Sequence, residues 1–98
     1  MSLPFVILPL AREDVDEAYQ WYERQRLGLG DEFLAELEAS CQRITATPEM
    51  HGVLYRGIRR ASLHRFPYGV YYRLRRDRLE IVAVIHGRRD ASIWKRRA

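Results

Sequence analysis

The spacing of apolar residues changes character near residue 50. Leu3–Leu8, LPFVIL, is a short apolar run bounded by Pro9 and predicts a strand. From Ala11 the period lengthens: Val15, Ala18, Tyr19 and Tyr22 recur at helical spacing. Glu13, Asp14, Asp16 and Glu17 crowd the first turns, where the helix dipole favours negative charge. Gly28 and Gly30 are expected to end this helix and Asp31 to open a second, with an apolar stripe at Phe33, Leu34, Leu37, Cys41 and Ile44. Thr47-Pro48 closes it, because the residue before proline is pushed out of helical geometry. So short a connection implies an antiparallel helical hairpin.

Beyond Pro48 the period becomes two. Val53–Arg65, Val70–Arg75 and Leu79–His86 are rich in β-branched and aromatic residues. Phe66-Pro67-Tyr68-Gly69 has proline and glycine where a type I turn prefers them, and Arg76-Asp77 reads as a hairpin tip. The tail Arg88–Ala98 reads as a short terminal segment anchored by Trp94. The expected fold is α+β: one domain over residues 1–98, β-α-α-β-β-β, a mainly antiparallel sheet with the helical hairpin packed on one face.

The turns set a register. Leu74 should face Leu79, Arg73 Glu80, Tyr72 Ile81 and Tyr71 Val82; on the other side Leu63 should face Tyr72, Ser62 Arg73 and His64 Tyr71. Alternation then gives Ala61, Leu63, Val70, Tyr72, Leu74, Leu79, Ile81, Ala83 and Ile85 to the face under the helices. The opposite face receives Arg60, Ser62, His64, Tyr71, Arg73, Arg75, Glu80, Val82, Val84 and His86. Arginines around an aromatic suit phosphate contacts and base stacking. His64 and His86 would serve as general base and acid if the face cleaved RNA. Val82 and Val84 suit an apolar groove that receives a partner's peptide.

Charge sharpens this picture. Residues 1–50 carry ten Asp/Glu and four Arg, a balance of −6; residues 51–98 carry three Asp/Glu, twelve Arg and one Lys, a balance of +10. The sheet half therefore has the electrostatic footprint of a polyanion partner. The single cysteine, Cys41, excludes an internal disulfide and fits a reducing compartment. No apolar run approaches a membrane span, and FVILPL is too short for a signal sequence and has no basic leader, so a cytoplasmic location is expected. Cysteine–histidine spacings for zinc, a glycine-rich phosphate loop and a Gly-x-Ser-x-Gly elbow are all missing, so neither metal nor cofactor is expected.

WYE (Trp21–Glu23), GLGDEFLAELE (Gly28–Glu38), RFPYGVYYR (Arg65–Arg73) and AVIHGRRD (Ala83–Asp90), followed by Trp94, resemble in this order the RelE/ParE superfamily of type II toxin–antitoxin toxins, over about residues 5 to 96. The resemblance implies a toxin held inactive by a cognate antitoxin whose C-terminal segment wraps it; Val82 and Val84 are the candidate antitoxin contacts. RelE-like members are metal-independent, ribosome-dependent messenger-RNA endonucleases, whereas ParE-like members poison DNA gyrase and are not nucleases. RelE-like toxins often carry an arginine where this chain has Gly69, and a C-terminal catalytic tyrosine, whereas no tyrosine follows Tyr72 here. The pattern is thus nearer the ParE-like, plasmid-stabilisation branch. The leading expectation is a growth-inhibiting toxin that binds gyrase through Arg60, Tyr71, Arg73, Arg75, Arg88 and Arg89. The alternatives are an mRNA endonuclease, with His64 and His86 catalytic and the same residues on RNA, or a member that binds antitoxin without toxicity.

Overall fold

The computed structural model describes residues 3–98, so the first two residues of the expected 1–98 domain lie outside the described residues. The element order is β1 (Phe5–Ile7), α1 (Pro9–Gln25), α2 (Leu29–Ala46), β2 (Val53–Tyr55), β3 (Ile58–Ser62), β4 (Tyr68–Leu74), β5 (Leu79–His86) and α3 (Ser92–Lys95). The strands form one sheet in the order β1-β5-β4-β3-β2, antiparallel except for the β1–β5 pair. The expected α+β architecture holds, with the α1–α2 hairpin on one face, called here the near face.

Local chemistry explains the departures in element bounds. Pro9 starts α1 rather than merely ending β1, since proline is preorganised for the first helical position. Gly28 adopts φ 91°, but Gly30 lies inside α2. A Cβ at Gly30 would come within 2.7 Å of the Tyr19 ring, so this glycine lets the helices approach closely. Glu23, in the last turn of α1, accepts the backbone N–H groups of Gly28 (3.0 Å) and Gly30 (2.8 Å), satisfying donors at the start of α2. The expected strand Val53–Arg65 is two strands. Arg56 and Gly57 take φ 46° and 80°, the two-residue hairpin geometry that glycine favours.

The expected β4–β5 pairing holds at the tip, where Leu74 faces Leu79, Arg73 faces Glu80 and Tyr72 faces Ile81. It then fails by one residue: Tyr71 faces Ala83, because a bulge places Val82 as an extra residue on β5. The bulge reverses the alternation downstream. Val84 turns to the near-face core, while Ala83 and Ile85 go to the far face. The β3–β4 register is displaced further, with Arg59 opposite Tyr72, Arg60 opposite Tyr71 and Ser62 opposite Gly69. Leu63 donates to the carbonyl of Tyr68, so the connection is the longer His64–Pro67 loop. Its cause lies on α2: Glu36 accepts the N–H groups of His64 (2.7 Å) and Arg65 (3.1 Å) and draws the loop toward the helix. The displacement is by an even number of residues, so faces are preserved there.

Two cores result. The near-face core joins Ala18, Phe33, Leu37, Cys41 and Ile44 to Val70, Tyr72, Ile81 and Val84, all buried. Tyr22, Phe33, Phe66 and Tyr68 form an aromatic cluster inside it, with centroids 4.9 to 6.1 Å apart. The far-face core comprises Ile58, Tyr71, Val82, Ala83 and Ile85 beneath Trp94 of α3, whose ring stacks on Tyr71 at 4.8 Å. Arg97 fastens this cover. It pairs with Asp14 of α1 at 2.6 Å and donates to the carbonyl of Val82, while Asp14 also accepts the Val84 N–H. The backbone groups beyond the end of β1 are thereby partnered by side chains.

Candidate functional site: a guanidinium ridge on the far face

The far face is not the continuous open surface that alternation implies. Its middle is covered by α3, and Tyr71 is only 7% exposed, so the expected stacking aromatic is occupied by Trp94. Val82 and Val84 are each 1% exposed. The expected apolar antitoxin groove is therefore corrected: Val82 lies under Trp94, and the bulge sends Val84 into the core beneath the helices.

The β4–β5 end of the face carries charge. Arg73 donates through Nε to Glu80 Oε1 at 2.8 Å, and Arg75 through Nε to the same oxygen at 3.2 Å. Arg78 holds Oε2 through Nε (3.2 Å) and a terminal nitrogen (2.9 Å), and also pairs with Asp77. Hydrogen bonding from Arg73, reinforced by Arg75 and Arg78, outweighs burial and holds the Glu80 carboxyl down at about 2. Glu80 is buried while Arg75 and Arg78 are about half exposed, so one inward carboxylate organises three guanidiniums at the surface. Arg78 escaped sequence reasoning because it lies in the hairpin turn, where alternation assigns no face. Its spacing of two from Glu80 was the available signal.

The remaining candidates separate. Arg60 is exposed, and its guanidinium lies 5.9 Å from the Tyr71 ring centroid. Its side chain also fills the space over Gly69, where an added Cβ would meet Arg60 Nε at 2.8 Å. A guanidinium thus covers residue 69 from the neighbouring strand. His64 sits in the exposed β3–β4 loop rather than opposite Tyr71. His86 packs edge-on to Tyr68, 5.5 Å between centroids, and its Nδ1 accepts the Arg88 N–H at 3.1 Å. It lines a cleft of about 440 Å³ with Asp14, Glu17, Trp21, Tyr68 and Arg89, on the α1 side of the sheet. His86 and Arg89 therefore share a cleft, Arg60, Arg73 and Arg75 share the far face, and His64 and Arg88 stand on separate exposed loops. Burial, then Glu17, raises the Tyr68 hydroxyl above its ordinary value, keeping it neutral in that cleft. Among the described residues no group of His, Cys, Asp and Glu side chains could hold a metal ion.

The chain, with its helical hairpin over one face of a five-stranded sheet and a C-terminal cover on the other, is similar in fold to a solved structure described as "Chromosomal ParDE TA system from P. aeruginosa". The TM-score is 0.77 at 13% identity, covering 87% of this chain and 96% of that one, so the two chains share a fold. The family follows from the sequence profile: residues 5–91 match that of the ParE toxin of type II toxin-antitoxin system, parDE, and the chain belongs to this family. No curated protein matches the chain at comparable stringency.

Proposed function

We propose that the chain stops growth by binding a macromolecular target, DNA gyrase, in the cytoplasm, and that a cognate antitoxin neutralises it, so that the pair stabilises the replicon that carries it. The observation that carries this reading is family membership across residues 5–91; in its support, the far-face arginines have neither histidine beside them. A nuclease needs a base and an acid beside one phosphate. His64 is held on a loop against α2, and His86 faces the α1 cleft. Arg60, Arg73 and Arg75 supply cationic contacts to the target from the far face, and Arg88 and Arg89 supply separate ones beyond the opposite end of β5. Among the described residues no helix is long and apolar enough to cross a membrane, which fits a target inside the cell.

The test is induction of the chain alone and together with a small DNA-binding protein encoded beside it. Growth arrest with intact message, reversed by co-expression, is the expected result. Mapped message cleavage that disappears in His86→Ala would install the nuclease reading instead. Harmless overexpression would refute toxicity altogether.

A further inference from the structure

Arg73 and Arg75 meet the same oxygen of a buried carboxylate, and each does so through Nε alone. An arginine anchored by Nε leaves both terminal amino groups free as donors, in a plane already fixed by the anchor. Among the described residues those four amino groups make no hydrogen bond, and Arg75 is 50% exposed. We propose that the Arg73–Arg75 pair, positioned by Glu80 and flanked by Arg78, is a phosphate clamp that holds the backbone of duplex DNA. The inference rests on the reading of the far face as a binding surface, but not on gyrase being the target.

The surroundings select the ligand. The turn Arg75-Arg76-Asp77-Arg78 presents no apolar side chain, so a protein meets it only as a polar rim, whereas a phosphate backbone needs nothing beyond donors and charge. The aromatic of this face, Tyr71, is buried against Trp94 and offers unpaired bases nothing to stack on, which disfavours single strands. What remains is donors and charge: four arginines at 73, 75, 76 and 78 against Asp77 and Glu80, a local balance of +2. Contacts of this kind fix a protein on the duplex backbone without reading sequence. Glu80 does not touch the phosphate. It aims the guanidiniums and keeps them from repelling one another apart.

The assay is fluorescence anisotropy of a short labelled DNA duplex of arbitrary sequence, titrated with the purified full chain at stepped salt, with no gyrase or antitoxin present. Binding should weaken linearly on logarithmic axes, by about 0.9 per phosphate neutralised. Arg73→Lys/Arg75→Lys keeps the charge but cannot both bond Glu80 and donate outward; it should lose about tenfold in affinity. Glu80→Gln discriminates further. It makes the chain more positive, so diffuse attraction predicts tighter binding, whereas the clamp predicts weaker binding. Circular dichroism at the assay temperature confirms that each variant is folded, and the charge-preserving lysine pair carries the test if Glu80→Gln is not. Arg24→Ala/Arg43→Ala, which removes two charges from the helices, should leave affinity within about twofold. Wild-type affinity in the lysine pair would overturn the clamp. So would tighter binding by folded Glu80→Gln, preference for single-stranded RNA, or displacement by polyglutamate as readily as by duplex DNA. DNA binding lost in the lysine pair with gyrase inhibition intact would uphold the clamp and remove these arginines from the gyrase contact, whereas inhibition lost with DNA binding at wild-type strength would overturn the clamp and leave the target reading standing.

Discussion

Replacing Glu80 by glutamine removes the one negative charge that three arginines share, and the structure sets the scale of the loss. The carboxyl is held at about 2, against an ordinary 4.5 in the unfolded chain. At about 1.36 kcal/mol per pH unit that gap corresponds to roughly 3 kcal/mol of preference for the charged form in the fold. Arg75 and Arg78 are 50% and 43% exposed, so water and salt screen their share, and about 1–2 kcal/mol is the defensible stabilisation. Because the folded value is depressed, this contribution is complete above pH 4.5 and is lost as pH falls toward about 2. Urea denaturation of wild type and Glu80→Gln should therefore show the variant less stable by about 1–3 kcal/mol at pH 7, its amide nitrogen now facing guanidiniums. The gap should close at the acid end of that window. A gap that is zero at neutral pH, or that persists undiminished near pH 2, would refute the claim that charge on Glu80 organises the ridge.

Three other perturbations probe the framework. Gly30→Ala gains up to about 1 kcal/mol of helix propensity but drives a methyl into Tyr19 and the anchored Glu23; a net loss of about 1–2 kcal/mol in thermal melts is expected, and a rise in Tm would contradict the close helix contact. Trp94→Ala uncovers Tyr71, Val82 and Ile85 and should cost about 3–5 kcal/mol in chemical denaturation, with new binding of a hydrophobic dye; a cost under about 1 kcal/mol would show that α3 is not a structural cover. Burial pushes the Cys41 thiol up to about 12, so at pH 8 it should resist a disulfide reagent in the native state and react on unfolding; rapid native labelling would contradict its place in the core.

How far the residues disclosed the fold depended on whether the deciding interaction was local. Helical stripes, the Arg76-Asp77 turn and the first three β4–β5 pairs follow from neighbours in sequence, and they stand. The bulge did not show because IVAVI is apolar at every position, so losing a step in alternation leaves no mark on the pattern. Only burial on both faces makes such a run tolerable, and that depends on α3 folding back over the sheet. The β3–β4 register depended on Glu36, which reaches His64 across 28 residues of chain. A turn motif alone could not anticipate that bond. Arg56-Gly57 is a legible hairpin turn, hidden only because the residues on either side of it share one strand-like composition. For the site, the basic character of the face was visible in the charge split. The convergence of arginines on one carboxylate was visible only in part, as the Arg73–Glu80 cross-strand pair. The assignment of Val82 and Val84 to an open groove failed with the alternation it relied on.

If this ParE-family chain acts as proposed, it binds gyrase through its arginine-bearing sheet face and does not cut RNA. Supercoiling of relaxed plasmid by purified gyrase, with the purified chain titrated in and a messenger RNA in the same reaction, tests this most directly. The account predicts loss of supercoiling with the RNA intact, and weaker inhibition by Arg73→Ala/Arg75→Ala. Unimpaired supercoiling at saturating toxin would contradict it.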